Sequence, residues 1–352
     1  MSKKEAAQAS VRSRAASPGA TGAKAAKAKA GPAEGKPATP AAKSELEILE
    51  GLPPQLGALA LGSLGLARAW AVGGSGAISS ALSLAALLFL AIYSMKLLRP
   101  SALWRDASDA SALPPLGAFF AAAQGVGVRY LVPELAQLVI VVTHGLMLLV
   151  SIRFAWVNAK KGLRPDPSWF PGLLLSGFTS VSASALGPWW LKAAVPLHFW
   201  SSIAIYVPVK LVVIYRLFLS PARSSVAANA GMATFMAPGS FFTVVHLTSG
   251  KPGGDLMGLL LFADSTISFL ATVGLLYIRR SVWSSAFHVS YVAFTFPLAS
   301  TATAALLSSE RLMDSSLLVA WAWLLLLLAT GVILAVQFRF LRHLLELRRK
   351  QK

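Results

Sequence analysis

Residues Tyr291–Leu307 read YVAFTFPLASTATAALL. The stretch is apolar enough for a membrane, yet it holds an internal proline and a run of small hydroxylated residues. Phe296, Ser300, Thr303 and Leu307 fall at i, i+4, i+7 and i+11, so one helical face reads aromatic, hydroxyl, hydroxyl, aliphatic. A lipid-facing helix gains nothing from such a face. A helix that lines a narrow aqueous path uses it.

The pattern recurs. Pro54 leads into QLGALALGSLGLA, Pro115 into LGAFFAAAQGVG, Pro171 into GLLLSGFTSVSASALG and Pro238 into GSFFTVVHLTS, with 56 to 67 residues between successive members of the set that ends at Pro297. Bulkier segments such as ISSALSLAALLFLAIYSMKLL and LVAWAWLLLLLATGVILAVQF lie between. A spacing near 60 residues is one hairpin of two membrane helices with its loops. The reading is therefore five hairpins, each a proline-led, small-residue helix followed by a bulky apolar one. Proline, glycine and serine are common in membrane helices for other reasons. It is the regular alternation that argues for a shared role.

The chain has 352 residues, of which 55% are hydrophobic and 13% charged, and its mean hydropathy is +0.63. Soluble domains carry about 25% charged residues. The composition predicts an all-α polytopic membrane protein. No cysteine is present, which excludes disulfides, thiolate chemistry and Cys-ligated metals. The net charge of +18 is uneven: nine of the 32 Lys and Arg lie in residues 1–43 and six between Arg339 and Lys352. Residues 1–48 are expected to form a disordered basic tail, since Ala, Lys, Ser, Pro and Gly cannot bury a core. The tail fits a solvated cytoplasmic segment whose serines Ser10, Ser13 and Ser17 would serve a regulatory kinase. It also fits a tether to anionic lipid, or an organelle transit peptide. Nucleic-acid binding fits poorly, because no folded scaffold accompanies the charge.

The expected spans are 52–72, 76–98, 112–130, 132–153, 169–188, 191–217, 231–249, 255–278, 284–307 and 315–340, within a domain covering 49–340 and followed by a basic tail, 341–352. Loops after even spans hold eleven Lys and Arg, among them Arg99, Arg105, Arg153 and Lys160; loops after odd spans hold five, Arg68, Arg129, Lys192, Lys251 and Arg311. The positive-inside rule then puts both termini in the cytoplasm, as an even number of spans requires.

Ionisable groups inside spans are few. Asp264 is read as a buried acid bonded to a hydroxyl, or as a proton carrier. His246 is read as a pore-mouth or a packing residue, His144 as packing, and Lys210 as snorkelling to the interface. Glu134 sits at a helix N-terminus. No catalytic motif, no paired carboxylates and no metal-ligand spacing occur, so neither an enzyme nor a resident cofactor or metal is expected. What remains is the proline-led set, whose small faces hold Gly57; Gln124; Ser176, Thr179 and Ser180; Thr243; and Ser300 and Thr303. Such faces let helices pack closely. Five around one axis would instead enclose a narrow tube, and a tube without carboxylates, entered through basic mouths, favours anions.

Several motifs then resemble the tellurite-resistance/C4-dicarboxylate transporter and slow-type anion channel family. RPDPSWFPGLLLSGFTSVSASALG resembles its fifth-helix entry, FTFPLAST its ninth-helix stretch, MAPGSFF its seventh-helix start and KSELEILEGLPPQLGALALGSLGLARAW its first helix. The match runs in order over roughly residues 50–340. The chain departs from the family in carrying Asp166 where the family's fifth-helix motif has histidine. The resemblance implies ten transmembrane helices as five helical hairpins around a quasi-fivefold central pore, and a homotrimer with one pore per subunit. It also implies that a pore-plugging phenylalanine falls on Phe296; Phe170, which also precedes a proline, is the competitor. The expected function is a channel or channel-like transporter for small anions: chloride, nitrate, malate or another dicarboxylate, or sulfite. The alternatives are a proton-coupled transporter on the same fold and, further off, an integral-membrane enzyme. The plasma membrane is the expected location, with an organelle membrane left open.

Overall fold

A computed structural model describes residues 51–163, 165–219, 230–250, 253–278 and 287–351. The basic tail 1–48 and the loop bases Arg164, Arg223, Lys251, Arg279 and Arg280 lie outside the described residues.

All regular elements among the described residues are helical, and prolines set where the inner ones begin or bend. Helix α1 (Gln55–Val72) starts directly after Pro54. After the bulky helix α2 (Gly76–Ser94) and a short helix α3 (Pro100–Ser108), helix α4 (Leu113–Tyr130) carries prolines in its first turn. Proline is tolerated there because the first N–H groups of a helix have no intrahelical partner. Helix α5 (Pro133–Lys160) follows. Helix α6 (Trp169–Leu173) contains Pro171 and breaks at Leu174, and the chain resumes as α7 (Leu175–Leu186). The short α8 (Trp189–Ala193) leads into α9 (Val195–Ile214). Helix α10 (Ala237–Thr248) and helix α12 (Thr295–Arg311) are each preceded by a tighter 3₁₀ turn, Met232–Met236 and Val289–Phe294. Pro238 and Pro297 lie just past these junctions. Proline lacks the N–H that an α-helical bond would need, so the change of winding falls next to it. Helices α11 (Gly254–Ile278) and α13 (Ser316–Gln351) complete the fold. The basic segment 341–352 prolongs α13 without a break as far as Gln351.

Among the described residues, six helical stretches are long and apolar enough to span a membrane: Gly76–Leu98, Pro133–Lys160, Val195–Leu217, Gly254–Ile278, Val289–Arg311 and Ser316–Glu346. The protein is an all-α integral membrane protein. Five of the six are the bulky segments. The sixth is the stretch around Pro297, and its most apolar window is 83% buried inside the protein, against 22–39% for the others. The bulky helices present side chains such as Leu88, Leu149, Ile152, Leu211, Ile267 and Phe338 outward. In a bilayer that surface is satisfied by lipid tails, while contact between helices depends on close approach.

Close approach is what the small-residue helices supply. Helix α1 packs on α4, α4 on α7, α7 on α10, α10 on α12, and α12 back on α1. A Cβ at Gly57 would come within 2.6 Å of the Phe119 Cβ on α4. A Cβ at Gly62 would overlap the Thr295 side chain on α12. The paired positions climb together: Gly57 meets Phe119 and Gly125 meets Leu64, while Ser240 bonds Ser300 and Arg311 reaches the Leu247 carbonyl. The same ascent links α4 to α7 (Gly117 on Leu175, Gln124 on Thr179) and α1 to α12 (Gly62 on Thr295, Gly65 on Ala299), so the five proline-led helices run in one direction. Each also packs on the bulky helix after it: α1 on α2, α4 on α5, α7 on α9, α10 on α11, and α12 on α13.

Candidate functional site

All five proline-led helices contribute to the wall of one cavity of about 500 Å³. Helix α1 gives Leu61, Leu64, Gly65, Arg68 and Ala71, and α4 gives Ala121, Gly125, Val128 and Arg129. From α7 come Phe178, Val181, Ser182, Ser184 and Ala185; from α10 Phe241, Val244 and Thr248; from α12 Phe296, Ser300 and Thr303. Among the described residues the wall carries two guanidinium groups and no carboxylate.

The end of the cavity nearest the prolines is filled by three phenyl rings. Phe178 stacks on Phe241 with ring centroids 4.4 Å apart, and Phe296 lies 5.0 Å from Phe178 and 6.2 Å from Phe241. Two glycines make the cluster possible. A Cβ on Gly177 would come within 2.8 Å of the Phe241 ring, and Gly65 leaves the Phe296 ring room against α1. At the other end stand Arg68, one turn before the end of α1, and Arg129 and Thr248, in the last turns of α4 and α10.

The hydroxyls of the wall are largely committed. Thr303 donates to the Ala299 carbonyl (2.8 Å), Thr248 to Val244 (2.7 Å) and Ser184 to Ser180 (2.7 Å). Ser300 bonds the Pro297 carbonyl (3.0 Å) and the Ser240 hydroxyl (2.7 Å). A hydroxyl has one proton, so these groups turn mainly lone pairs and methyl groups toward the cavity. Ser182 alone among the described serine and threonine side chains of the wall makes no hydrogen bond within the protein.

Of the residues singled out from the sequence, Phe296, Ser300 and Thr303 lie on this wall. Phe170 does not. It is buried against Tyr206 (5.8 Å) and Phe235 (6.3 Å). Gly57 sits in the seam between α1 and α4. Gln124 and Thr179 form a buried joint among α4, α5 and α7: the Gln124 amide donates to the Ile140 carbonyl (3.3 Å) and the Thr179 hydroxyl (3.2 Å), and the His144 ring meets the same hydroxyl at 2.9 Å. Ser180 is buried away from the wall, and Thr243 donates to the Gly239 carbonyl (2.8 Å). The Ser176 side chain lies outside the described residues.

Behind the wall, between α9 and α11, is a compact ionic cluster. Lys210 turns inward rather than snorkelling: it pairs with Asp264, donates to the Tyr206 hydroxyl (2.7 Å) and the Ser268 hydroxyl (2.9 Å), and lies over the Tyr206 and Phe235 rings. The Tyr206 hydroxyl also donates to Asp264. Asp264 presses against α10 at Gly239, where a Cβ would meet its carboxylate at 2.5 Å. His246 is fully buried. No group of three or more His, Asp or Glu among the described residues is placed to hold a metal.

Sequence reading missed Phe178, Phe241, Arg68 and Arg129 as wall residues. Both phenylalanines sit in proline-led segments, but at different offsets from their prolines. The arginines counted as loop charge, although both lie within helical turns. No family model matches this sequence, and none of the curated proteins is significantly similar to it.

Proposed function

We propose that this chain passes small anions across a membrane through the space enclosed by its five proline-led helices. In this reading ten transmembrane helices form five hairpins around a quasi-fivefold pore, as in the tellurite-resistance/C4-dicarboxylate transporter and slow-type anion channel family that its motifs resemble. Both termini face the cytoplasm, so the arginine end of the cavity opens to the far side. Subunits assemble as homotrimers with one pore each, in the plasma membrane.

The observation that carries the proposal is the cavity itself. It touches every proline-led helix, bears two cations and, among the described residues, no carboxylate, and ends on three packed phenyl rings. Positive groups without fixed negative charge attract anions and repel cations. The rings leave an apolar closure that a hydrated ion does not cross, and Phe296 opens it by a rotamer change. Asp264 lies off the wall and is bound to Lys210, which favours a passive path over proton coupling.

The test is anion flux by purified protein in liposomes, comparing wild type with Phe296→Ala at matched reconstitution. Flux that follows the anion gradient and rises in the variant supports the proposal. Proton movement locked to anion movement, lost in Asp264→Asn, replaces it with the coupled transporter.

A further inference from the structure

Helix α3 has nine residues, well short of the ~20 needed to cross a bilayer. It follows α2 after a 3₁₀ turn, Met95–Leu98, and packs on that turn and on the start of α4. A buried staple fixes it there. The Lys96 side chain, buried in the turn, pairs with Asp106 of α3 at 2.6 Å. The Tyr93 hydroxyl of α2 donates to the same carboxylate at 2.8 Å, and the Tyr93 ring packs 4.9 Å from the Phe119 ring of α4. Loss of either partner would leave the other charge buried without compensation, so the pair holds α3 in one place.

What the staple turns outward is apolar. Trp104 is 74% exposed and Leu98 71%, with Met95 and Leu97 exposed beside them. These side chains carry the outward-facing surface of α2, with its exposed Leu84, Leu87 and Leu88, past the end of the span. Arg105 is exposed next to Trp104. The same combination stands at the end of α5, which returns to this side of the protein: Trp156 is 64% exposed, near Arg153, Lys160 and Lys161. In residues 95–111 and 150–163, the exposed bases Arg105, Arg153, Lys160 and Lys161 stand against one exposed acid, Asp109. Tryptophan beside arginine or lysine at the end of a span suits the headgroup layer, where an indole finds both apolar and polar surroundings and anionic lipid attracts the bases.

We infer that α3 is an interfacial helix seated on anionic phospholipid in the leaflet where α4 begins. Trp104, with Leu97 and Leu98, enters the boundary between headgroups and acyl chains, and Arg105 meets the lipid phosphates. Lipid fits this face better than a second copy of the chain. The face continues the lipid-facing surface of a span, and an isologous contact would set its bases against their own kind. The inference rests on membrane insertion alone and not on anion conduction.

The chain has no cysteine, so Leu88→Cys, Trp104→Cys and Ser111→Cys each place a single nitroxide on the full chain, within the span, on α3 and beyond it. In vesicles of phosphatidylcholine and phosphatidylglycerol, the ratio of oxygen to nickel-complex accessibility at 104 should lie between those at 88 and 111 and exceed that at 111 several-fold. A ratio at 104 equal to that at 111 puts α3 in water and overturns the inference. Broadening between labels at 104 that disappears on dilution with unlabelled protein shows a second copy on this face and overturns it too. The anionic preference is read from Trp104 fluorescence, taken as the difference between wild type and Trp104→Phe. Brominated phosphatidylglycerol should quench it at a several-fold lower mole fraction than brominated phosphatidylcholine, and Arg105→Gln should narrow that gap. Equal quenching by the two lipids in wild type, or an unchanged gap in Arg105→Gln, overturns the headgroup assignment.

Discussion

Two cations in the membrane part of this protein live under opposite rules. Lys210 lies between α9 and α11, enclosed by Asp264, Tyr206 and Ser268. Arg68 lies on α1, facing an open cavity with no acceptor among the described residues. Burying a charge demands a partner. In the first case the chain supplies it, so the charge serves architecture: it ties the outer helices together behind α10. In the second the chain withholds it, so the demand is left for something that enters the cavity. The neighbouring hydroxyls sharpen the contrast, because most of them spend their protons on helix carbonyls and leave the guanidinium groups as the main donors on the wall.

The largest expected effect comes from breaking the closed case. Asp264→Asn leaves Lys210 buried without its counter-charge and should cost about 3–5 kcal/mol of stability, read as a lowered unfolding midpoint in detergent. Lys210→Met with Asp264→Leu should recover most of it, since an apolar pair of similar volume needs no counter-charge. A stable single variant would mean that the cluster is solvated, and the contrast with Arg68 would collapse.

Arg68→Gln is the matching test of the open case. It removes no protein partner, so stability should stay within about 0.5 kcal/mol of wild type, while anion flux falls several-fold. A loss of stability comparable to that of Asp264→Asn would show that Arg68 has a structural role.

A smaller effect is expected at the seam that brings the two sides of α1 together. Gly62→Ala places a methyl group on Thr295 and should cost about 1–3 kcal/mol, with the damage greatest in the junction of α1 with α12. Smallest of all is Ser300→Ala. The Ser300 hydroxyl bonds the Pro297 carbonyl and Ser240, so its loss should change stability by about 1 kcal/mol or less and leave ion selectivity as it was. A large selectivity change there would restore the hydroxyl stripe as the conducting surface.

The alternation of proline-led and bulky segments made the division into buried and lipid-facing helices legible from sequence, because lipid exposure rewards large side chains and close packing rewards small ones. Hydropathy alone did less well. Helices α1, α4, α7 and α10 are too short or too rich in small residues to register as spans, and only their burial in the fold accounts for them. The face of Phe296, Ser300 and Thr303 was legible because it lies on one helix with one period. The joint of Gln124, Thr179 and His144 was not, since it joins three helices far apart in sequence, and polar residues of that kind look alike whether they face a cavity or each other. Phe178 and Phe241 escaped for the same reason: three rings at three different offsets from their prolines meet only once the helices are assembled.

Closure of the cavity centres on Phe296, whose ring packs 5.0 Å from Phe178 and borders the cavity on the proline side. The measurement is membrane current in Phe296→Ala and wild type at matched surface expression, with the reversal potential followed as the external anion is exchanged. The account predicts little current in wild type and a large current in the variant, reversing at the anion potential. A variant that reaches the surface and stays silent, or conducts with a reversal potential that follows cations, would contradict it.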